Sequence, residues 1–424
     1  MERYKEYKKS VVPGMKEIPS HWKEILNGIL FKENVRKPNE NDIPLSLSQK
    51  DGLIPTDLMK ESSLKTSTYD NWKKVLKHDL VLNRFKAHLG VLMASDYEGM
   101  VSFHYGVYEP QLPLITKYYE LLYHTDIYKG IYAYSSNGMT VGLQNLSNIV
   151  FYSIKGIYPP LAEQEKIVSS LEDKTSKIDA YVADKEKEIE LLQELKQKTI
   201  ADAVTKGLNP DAKMKDYSSL ISSSCPEHWK IVRNKSFLSL TGEKVGKKAS
   251  EFVLLSLTTK GVIVRDIESG KGKFPKDFDT YQIVKPNELV FCLFDIDETP
   301  RTVGLVETEG MLTGAYTAFK VYTELAIPEY IYNYYLCVDN IKALKPYYSG
   351  LRKTVRADKF QQIYMPLPPL NEQQSIVAYI EKKCEKIDKL TSELQSEIDY
   401  LKEYKQRLIA DCVTGQINVQ NEMI

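Results

Sequence analysis

Few residues in this chain have the types and spacing that catalysis requires. An adenine N6-methyltransferase holds its flipped base at an Asn/Asp-Pro-Pro-aromatic strand end, and the nearest sequence, Tyr158-Pro159-Pro160-Leu161, has only the prolines. Residues 242–248 (GEKVGKK) resemble a phosphate-binding loop, but the spacing of their glycines is one residue too short and no Ser or Thr follows to hold Mg²⁺. The sequence therefore predicts neither a methyltransferase site nor a nucleotide site.

Signals for hydrolytic or metal chemistry are weak as well. Residues 210–213 (PDAK) could begin a nuclease signature with Asp211 as its acid, but they lie in a polar linker without a hydrophobic strand around it. His78, His88, His104 and His124 have spacings that match no zinc site. These observations favour a protein that binds its partner without converting it, and hence a non-enzyme.

Basic residues are the remaining chemical signal, and they recur on loops in both halves of the chain. Residues 83–88 (NRFKAH) follow an apolar strand-like run, while 269–273 (SGKGK) and 349–356 (SGLRKTVR) combine cations with glycine. Such loops can approach phosphates closely, and Arg can also pair with guanine edges in the major groove. One basic loop alone is more typical of a solvated surface, but the recurrence favours DNA. The candidate DNA contacts are Arg84, Lys86, His88, Lys271, Lys273, Arg301, Arg352, Lys353 and Arg356.

An internal duplication sets the positions of these loops. Residues 160–164 (PLAEQ) open a long helical pattern that ends with IADAVT, and residues 369–373 (PLNEQ) open a second that ends with IADCVT, at a constant offset of 209 residues (370 − 161). A second echo precedes each copy, PSHWK at 19–23 and PEHWK at 226–230. The chain therefore consists of two tandem units, each a globular segment followed by a long helix.

Both helical copies carry a narrow apolar stripe whose members are spaced alternately by three and four residues. This spacing is typical of a coiled-coil seam, because 3.5 residues per turn keep one stripe facing a partner helix. The predicted seam residues are Leu171, Ile178, Val182, Ile189 and Leu192 in the first copy and Ile380, Ile387, Leu394, Ile398 and Leu401 in the second.

The second copy in the same chain is the nearest partner for each helix, so we expect the two helices to pair antiparallel with pseudo-two-fold symmetry. Lys196 and Lys405 occupy equivalent seam positions, where a polar residue can fix the register. The alternative is that each helix packs against its own globular segment.

The globular segments read as mixed α/β, with short apolar strand-like runs followed by tyrosine-rich helical stretches that we interpret as core packing. The predicted fold class is therefore α+β. The predicted domains are a first recognition domain at 1–159, a helix at 160–210, a second recognition domain at 211–368, and a second helix with a C-terminal tail at 369–424. Because the two segments diverge outside their shared landmarks, we expect them to recognise different things in related ways.

Composition is that of an ordinary soluble protein. The chain has 424 residues, 42% of them hydrophobic and 27% charged, which suits two or more domains. It lacks an apolar run of membrane-spanning length and a hydrophobic signal core, and its five cysteines form no C-x-x-C, so we expect a cytoplasmic protein. The 57 basic and 57 acidic residues balance, but the helical copies are slightly acidic and leave a basic excess for the globular segments.

The duplicated helical motif resembles that of the DNA-specificity subunits of type I restriction-modification systems. The residues that carry the resemblance are Pro-Leu-x-Glu-Gln, Lys-Ile-Asp at 177–179 and 386–388, and Ile-Ala-Asp-x-Val-Thr, each present twice. The Pro-x-His-Trp-Lys landmarks fit the target-recognition domains of the same family, and the resemblance covers nearly the whole chain.

The resemblance implies a division of labour. Each globular domain would read one half of a split, asymmetric target in double-stranded DNA, and the paired helices would separate the half-sites and dock two methyltransferase subunits. Those subunits would bind S-adenosylmethionine and methylate adenine N6, and two endonuclease subunits that use ATP and Mg²⁺ could join them. This chain itself would hold no cofactor and no metal.

The length of the helices predicts the spacing between half-sites. From Leu171 to Val204 the helix has 34 residues, which corresponds to about 50 Å, or roughly 15 base pairs. After subtraction of the half-sites, the predicted non-specific spacer is roughly 5 to 8 base pairs.

Two other functions remain open at this point. A coiled-coil scaffold whose globular domains bind proteins would also carry such helices, and salt-dependent affinity for duplex DNA would distinguish it. A nuclease that uses Asp211 would require activity that is lost in Asp211→Ala.

Overall fold

The computed structural model describes residues 2–49, 51–59, 69, 71–136, 145–265 and 278–420. The chain forms two compact units. The first unit contains Met1–Glu186 and Ser396–Ile424, and the second contains Lys187–Gln395. The predicted domains are consecutive along the chain, whereas each compact unit combines one globular segment with parts of both long helices.

The first half of the chain contains short strands and helices, followed by one long helix. In chain order these are β1 (Tyr7–Lys9), β2 (Glu17–Pro19), β3 (Lys23–Leu26), α1 (Asn27–Leu30), β4 (Phe31–Glu33), β5 (Leu45–Ser48), β6 (Gly52–Pro55), β7 (Lys73–Val75), β8 (Leu80–Asn83), β9 (Leu92–Ala94), β10 (Gly99–Val101), β11 (Tyr105–Pro110), α2 (Thr116–Tyr123), α3 (Asp126–Ser135), α4 (Asn148–Ser153), β12 (Lys155–Tyr158) and α5 (Leu161–Lys206).

The second half repeats the order of the strands, has fewer short helices, and again ends in a long helix. Its elements are β13 (Met214–Asp216), β14 (Ser224–Pro226), β15 (Lys230–Arg233), β16 (Leu238–Leu240), β17 (Leu255–Thr258), β18 (Gly261–Val264), β19 (Gln282–Val284), β20 (Leu289–Phe291), β21 (Val303–Leu305), β22 (Gly310–Leu312), β23 (Thr317–Val321), α6 (Pro328–Asn340), α7 (Ala357–Gln362), β24 (Tyr364–Leu367) and α8 (Leu370–Val413).

The strands of the two units pair in the same way. Each unit has a four-stranded antiparallel sheet, in the order β4-β11-β8-β9 in the first and β16-β23-β20-β21 in the second. The two-stranded ladders also correspond, with β1–β2 matching β13–β14, β3–β12 matching β15–β24, β5–β6 matching β17–β18, and β7–β10 matching β19–β22. The predicted α+β class is confirmed.

The tyrosine-rich stretches form the cores. In the first unit Tyr118, Tyr119 and Tyr123 of α2 are fully buried, and the Tyr118 hydroxyl donates to the Val413 carbonyl at the end of α8 (2.7 Å). In the second unit the Tyr330 hydroxyl donates in the same way to the Val204 carbonyl at the end of α5 (3.1 Å). The end of one long helix is thus part of each core.

One contact explains why the two short motifs recur together. The indole nitrogen of Trp22 donates to the Glu163 carboxylate (3.0 Å), which also bonds His21 (2.7 Å). In the second unit Trp229 donates to Glu372 over the same distance, 3.0 Å. The Pro-x-His-Trp segment of each unit is therefore held by the first turn of the long helix that follows it.

The glutamine of each Pro-Leu-x-Glu-Gln motif is buried and forms hydrogen bonds to two segments of the chain. The Gln164 side-chain carbonyl accepts from the Ile115 amide (3.0 Å), and its NH₂ group donates to the Pro159 carbonyl (2.8 Å). Gln373 makes the equivalent bonds to Ile327 and Pro368, both 2.8 Å. Because buried polar groups require partners, these bonds fix the entry of each long helix against its globular segment.

Glycines let the long helices end against the same tryptophans. Gly207 and Gly415 follow α5 and α8 with φ of 72° and 73°, a conformation that favours glycine. A Cβ atom at Gly415 would lie 2.9 Å from Trp22, and one at Gly207 would lie 3.3 Å from Trp229. Each tryptophan is therefore packed between the start of one long helix and the end of the other.

The long helices lie antiparallel within each unit. In the first unit Lys405 of α8 bonds Asp179 of α5 (2.6 Å), and in the second Lys196 of α5 bonds Asp388 of α8 (2.6 Å). These two ion pairs are equivalent under the repeat. Each joins a polar seam residue to the aspartate of a Lys-Ile-Asp motif.

The predicted seam residues lie on the inner faces of α5 and α8. Six are buried (Leu171, Val182, Ile380, Ile387, Leu394 and Ile398), and Ile178, Ile189, Leu192 and Leu401 are half-buried. Within the described part of the chain, no helix is long and apolar enough to cross a membrane.

Candidate nucleic-acid interface

Loops from several strands meet at one end of each four-stranded sheet. In the first unit β4 and β8 end where β9 and β11 begin, because Asn83 pairs with Tyr105 and Glu33 with Tyr108. In the second unit β16 and β20 end beside the start of β23, where Phe291 pairs with Thr317. We use the term loop edge for this end, formed by residues 34–37, 84–90 and 102–104 in the first unit and by 241–244, 292–301 and 313–316 in the second.

An ion cluster supports the loop edge of the first unit. Arg84, a predicted DNA contact, donates to the Glu33 carboxylate (2.6 Å) and to the Asn148 side-chain oxygen (2.7 Å). Lys73 donates to Glu33 (2.8 Å) and to the Tyr105 carbonyl (2.7 Å). Burial would raise the pKa of Glu33, but the hydrogen bond from Lys73 and the charge of Arg84 lower it. The structure thus gives Arg84 an internal partner, a role that its charge and loop position did not reveal.

Lys86 and His88 lie on the same loop in different surroundings. Lys86 is exposed, and it borders a surface recess of about 340 Å³ together with Phe85 and His104. The rings of Phe85 and His104 are 5.8 Å apart, and Phe103 lies against His104 at 3.9 Å between ring centroids. His88 is half-buried, and its Nδ1 has no hydrogen-bond partner among the described residues. This edge presents aromatic faces beside a cation, which suits contact with bases and phosphates.

One arginine among the predicted DNA contacts of the second unit is also engaged internally. Arg301 lies 3.6 Å from the Asp339 carboxylate, which is 2% exposed. Asp339 also accepts from the Thr302 hydroxyl (2.6 Å) and from Lys342 (2.7 Å). Arg301 therefore anchors the start of β21, close to the loop edge.

Three predicted contacts in the second unit lie on a loop that carries its own carboxylate partners. Lys353 pairs with Asp297 (3.3 Å) and Arg356 with Asp358 (3.0 Å), whereas the Arg352 side chain is exposed. Slight burial would raise the pKa of Asp297, but hydrogen bonds from Lys353 and Lys345 lower it. The loop therefore approaches the edge with partly neutralised charge. Lys271 and Lys273 lie outside the described residues.

Sequence reasoning missed a set of lysines at the second loop edge. Lys244, Lys247 and Lys248 are exposed on and beside a short 3-10 turn, Gly246–Glu251. This turn replaces the strand-loop-helix that a nucleotide site needs. The same lysine-rich segment that failed as a phosphate-binding loop is thus a basic surface. The lysines of this segment are visible in the sequence, but their position at the second loop edge depends on the fold.

Metal-binding geometry is not evident in the described ranges. Within them, no three or more His, Cys, Asp or Glu side chains are grouped so that they could hold a metal ion. Asp211 is exposed in a turn after α5, with its amide donating to the Asn209 side chain (3.0 Å).

Comparisons with known proteins agree on one family. The family model described as type I restriction modification DNA specificity domain matches residues 309–400. The type I restriction enzyme MjaVIII specificity subunit of Methanocaldococcus jannaschii is 24% identical over 297 residues. That alignment covers 66% of this chain and 66% of the relative, just under two thirds of its length.

Two solved structures share the fold. A chain from a study of complex assembly and conformational transition of the type I R-M system has a TM-score of 0.71 at 14% identity, over 94% of this chain and 99% of that one. The crystal structure of the HsdS subunit from Thermoanaerobacter tengcongensis has a TM-score of 0.54 at 14% identity, over 96% of this chain and all of that one. The duplicated sheet, the paired helices, the family model and the solved structures agree, and the chain is similar to the specificity subunits of type I restriction-modification systems.

Proposed function

We propose that each loop edge reads one half of a split target in double-stranded DNA. The observation that carries the proposal is that the two units have the same pairing of strands but different side chains at their loop edges. A common frame would place both edges against DNA in the same manner, and unlike side chains would select different base pairs. The asymmetric target expected from the sequence follows from this arrangement.

The long helices would hold the two reading domains at a fixed separation and dock two methyltransferase subunits. Antiparallel pairing within each unit, with the equivalent lysine–aspartate pairs, supports a fixed register. In this proposal the methyltransferase subunits bind S-adenosylmethionine and methylate adenine N6, and endonuclease subunits that need ATP and Mg²⁺ add restriction. The chain supplies recognition without catalysis, in the cytoplasm, where the complex meets incoming and chromosomal DNA.

The adenine methylome of the source cell, with this gene intact and deleted, tests the proposal. Deletion is expected to remove N6-methylation from one split motif, on both strands, with a gap of roughly 5 to 8 base pairs. Unchanged methylation, together with the absence of salt-dependent duplex binding by the purified complex, would favour the protein-binding scaffold instead.

An insertion tests the role of the helices separately. Seven residues added after Glu186 and after Gln395, which are equivalent positions of the repeat, preserve the seam because they add one heptad to each helix. Each helix gains about 10 Å, so the spacer is expected to lengthen by roughly 3 base pairs. A spacer of unchanged length would refute the helical ruler while leaving DNA recognition itself intact.

A further inference from the structure

The loop edge of the second unit contains a groove built from small and hydroxyl-bearing residues. It has a volume of about 540 Å³, and we name it the threonine groove after Thr241, Thr280, Thr313 and Thr317, which line it together with Lys244 and Gly314. None of its lining residues is acidic; of the two carboxylates adjacent along the chain, Glu243 lines the neighbouring groove and Asp279 is exposed. Hydroxyl donors and one cation without a carboxylate suit an anionic ligand.

The wall of the groove depends on glycine at position 314. A Cβ atom there would lie 2.6 Å from the Thr280 carbonyl oxygen, closer than real side chains approach. The Gln282 side chain holds the adjacent loop by donating to the carbonyls of Thr313 (3.1 Å) and Tyr316 (2.8 Å). The groove is therefore a fixed part of the fold.

The matching loop of the first unit carries bulky rings and borders the smaller recess of about 340 Å³. The strand registers align Tyr105 with Tyr316, so Phe103 and His104 stand where the second unit has Gly314 and Ala315. The small residues of the second unit leave this side of the loop edge open.

One donor in the groove lacks a partner in the free protein. The Thr241 hydroxyl is buried, and it has no hydrogen-bond partner among the described residues. Such groups are uncommon, because a buried donor without a partner has lost the hydrogen bond that water would give it. Because the hydroxyl is buried, it would reach a ligand oxygen after rotation about the Cα–Cβ bond towards the groove that the Thr241 side chain lines. Lys244 is exposed beside it and forms no ion pair within the described ranges.

Tyr316 connects the groove to the reading side of the edge. It lines the groove, and its ring stacks on Phe294 with a centroid distance of 6.1 Å and an interplanar angle of 16°. A backbone bound in the groove would therefore bring its bases towards these rings.

We propose that the threonine groove binds the sugar-phosphate backbone of the DNA target, with Lys244 and the Thr241 hydroxyl as its phosphate contacts. This proposal rests on the proposed function, since it assumes that the second loop edge meets DNA. It assigns the groove to affinity and positioning, and leaves base selection to the neighbouring rings and loops.

Two substitutions in the full chain, assembled with its methyltransferase partner, test the groove. Lys244→Gln is expected to weaken duplex binding roughly five- to tenfold near 0.1 M salt and to reduce the slope of log affinity against log salt by about 1. Thr241→Val has nearly the same shape and loses no internal hydrogen bond, so it is expected to fold normally. It should weaken binding about tenfold with an unchanged salt slope. Neither change should alter the methylated sequence.

Lys235→Gln is the matched control, because Lys235 is exposed at the opposite end of β16 from Thr241. Binding is measured by fluorescence anisotropy on specific and non-specific duplexes across a salt series. Wild-type affinity and slope in both groove variants, equal to those of Lys235→Gln, would overturn the groove while the proposed function stands. A wild-type complex that shows no salt-dependent duplex binding would overturn the proposed function as well.

Discussion

Three positions beneath the loop edge are ionic in the first unit and uncharged in the second. The strand registers and the repeat offset align them, and each pair lies on the same strand or in the same loop. Glu33 corresponds to Leu240, Lys73 to Gln282, and Arg84 to Leu293. The shared arrangement of strands is therefore compatible with an ionic set or an uncharged set of residues at these positions, provided that all three change together.

The two units also differ at the exposed surface of the loop edge, which the proposed function assigns to DNA. The first edge presents Phe85, Lys86 and His104, whereas the second presents a hydroxyl-lined groove beside Phe294 and Tyr316. Both edges share the underlying support, because Lys73 donates to the Tyr105 carbonyl as Gln282 donates to the Tyr316 carbonyl. The comparison teaches that the supporting hydrogen bond is retained while the exposed surface above it varies.

The largest effects are expected where the units are most alike. Trp22→Ala and Trp229→Ala each remove a fully buried indole, and each should destabilise its own unit by about 3–5 kcal/mol. If the two tryptophan sites are equivalent, the losses of stability caused by the two substitutions agree within about 1 kcal/mol. Hydrogen exchange resolved by unit measures both.

Conservative replacements separate packing from hydrogen bonding in this prediction. Trp22→Phe keeps most of the packing but removes the bond to Glu163, so its cost should be only about 1–2 kcal/mol. A Trp22→Ala variant with wild-type protection in the first unit would contradict the equivalence of the two frames.

The ion cluster gives the second prediction, which exchanges one unit's chemistry for the other's. Glu33→Leu alone leaves the buried cation of Lys73 and the half-buried cation of Arg84 without their carboxylate, and it should destabilise the first unit by about 3–5 kcal/mol. The triple variant Glu33→Leu, Lys73→Gln and Arg84→Leu reproduces the second unit's residues and should recover most of that loss. Denaturant unfolding of all three forms checks it, and a triple variant no more stable than the single would show that the frames are not interchangeable.

The same cluster makes the first unit sensitive to acid. Because the pKa of Glu33 is lowered in the folded state, its ion pairs contribute stability above the ordinary carboxyl pKa, and this stability is lost as the pH falls through the lowered value. The triple variant lacks the carboxyl group and should lose less stability than the wild type between neutral pH and that range. Unfolding curves across pH measure the difference.

Much of this frame could be predicted from the sequence, because its signals are local or repeated. The 3–4 spacing placed the helices, and the 209-residue offset revealed the duplication before any contact was known. Trp22 and Glu163 both belong to motifs that occur twice in the sequence. Their contact was not predicted, because residues 141 positions apart give no periodic signal.

The candidate interface was predicted less well, because a charged residue in the sequence does not show which group its side chain contacts in the folded protein. Arg84 and Lys86 look alike in the sequence, yet one is held by a carboxylate 51 residues away and the other is exposed. The threonine groove was missed for a related reason. Its residues come from three separate segments, and only the strand registers bring them together.

The third prediction concerns which half-site each edge reads. Phe85→Ala removes a ring that is 41% exposed, so folding should be little affected, while loss of a base contact should weaken methylation of the target about tenfold. Discrimination should relax within one half-site only. Phe294→Ala, at the equivalent position, should relax the other half-site.

Methylation of a randomised target library by the assembled complex distinguishes these outcomes. If Phe85→Ala relaxed both half-sites equally, the two edges would not read separately. Lys86→Gln serves as the comparison, because loss of a phosphate contact should weaken all sequences alike and reduce the salt slope by about 1.

The smallest effect is expected at the helix pairs, where the two units are equivalent but partly exposed. The Lys196 and Asp388 side chains are 32% and 60% exposed, so the ion pair contributes at most about 1 kcal/mol. Lys196→Asp alone places two carboxylates together at the seam. Because these like charges repel, the free energy of unfolding should fall by somewhat more than the ion pair contributes. Lys196→Asp combined with Asp388→Lys should restore stability, and the same exchange of Lys405 with Asp179 should do so in the first unit.

A double-mutant cycle by thermal unfolding measures the coupling. Rescue in one unit only would mean that the seam register is held differently at its two ends, even though the same residues hold it.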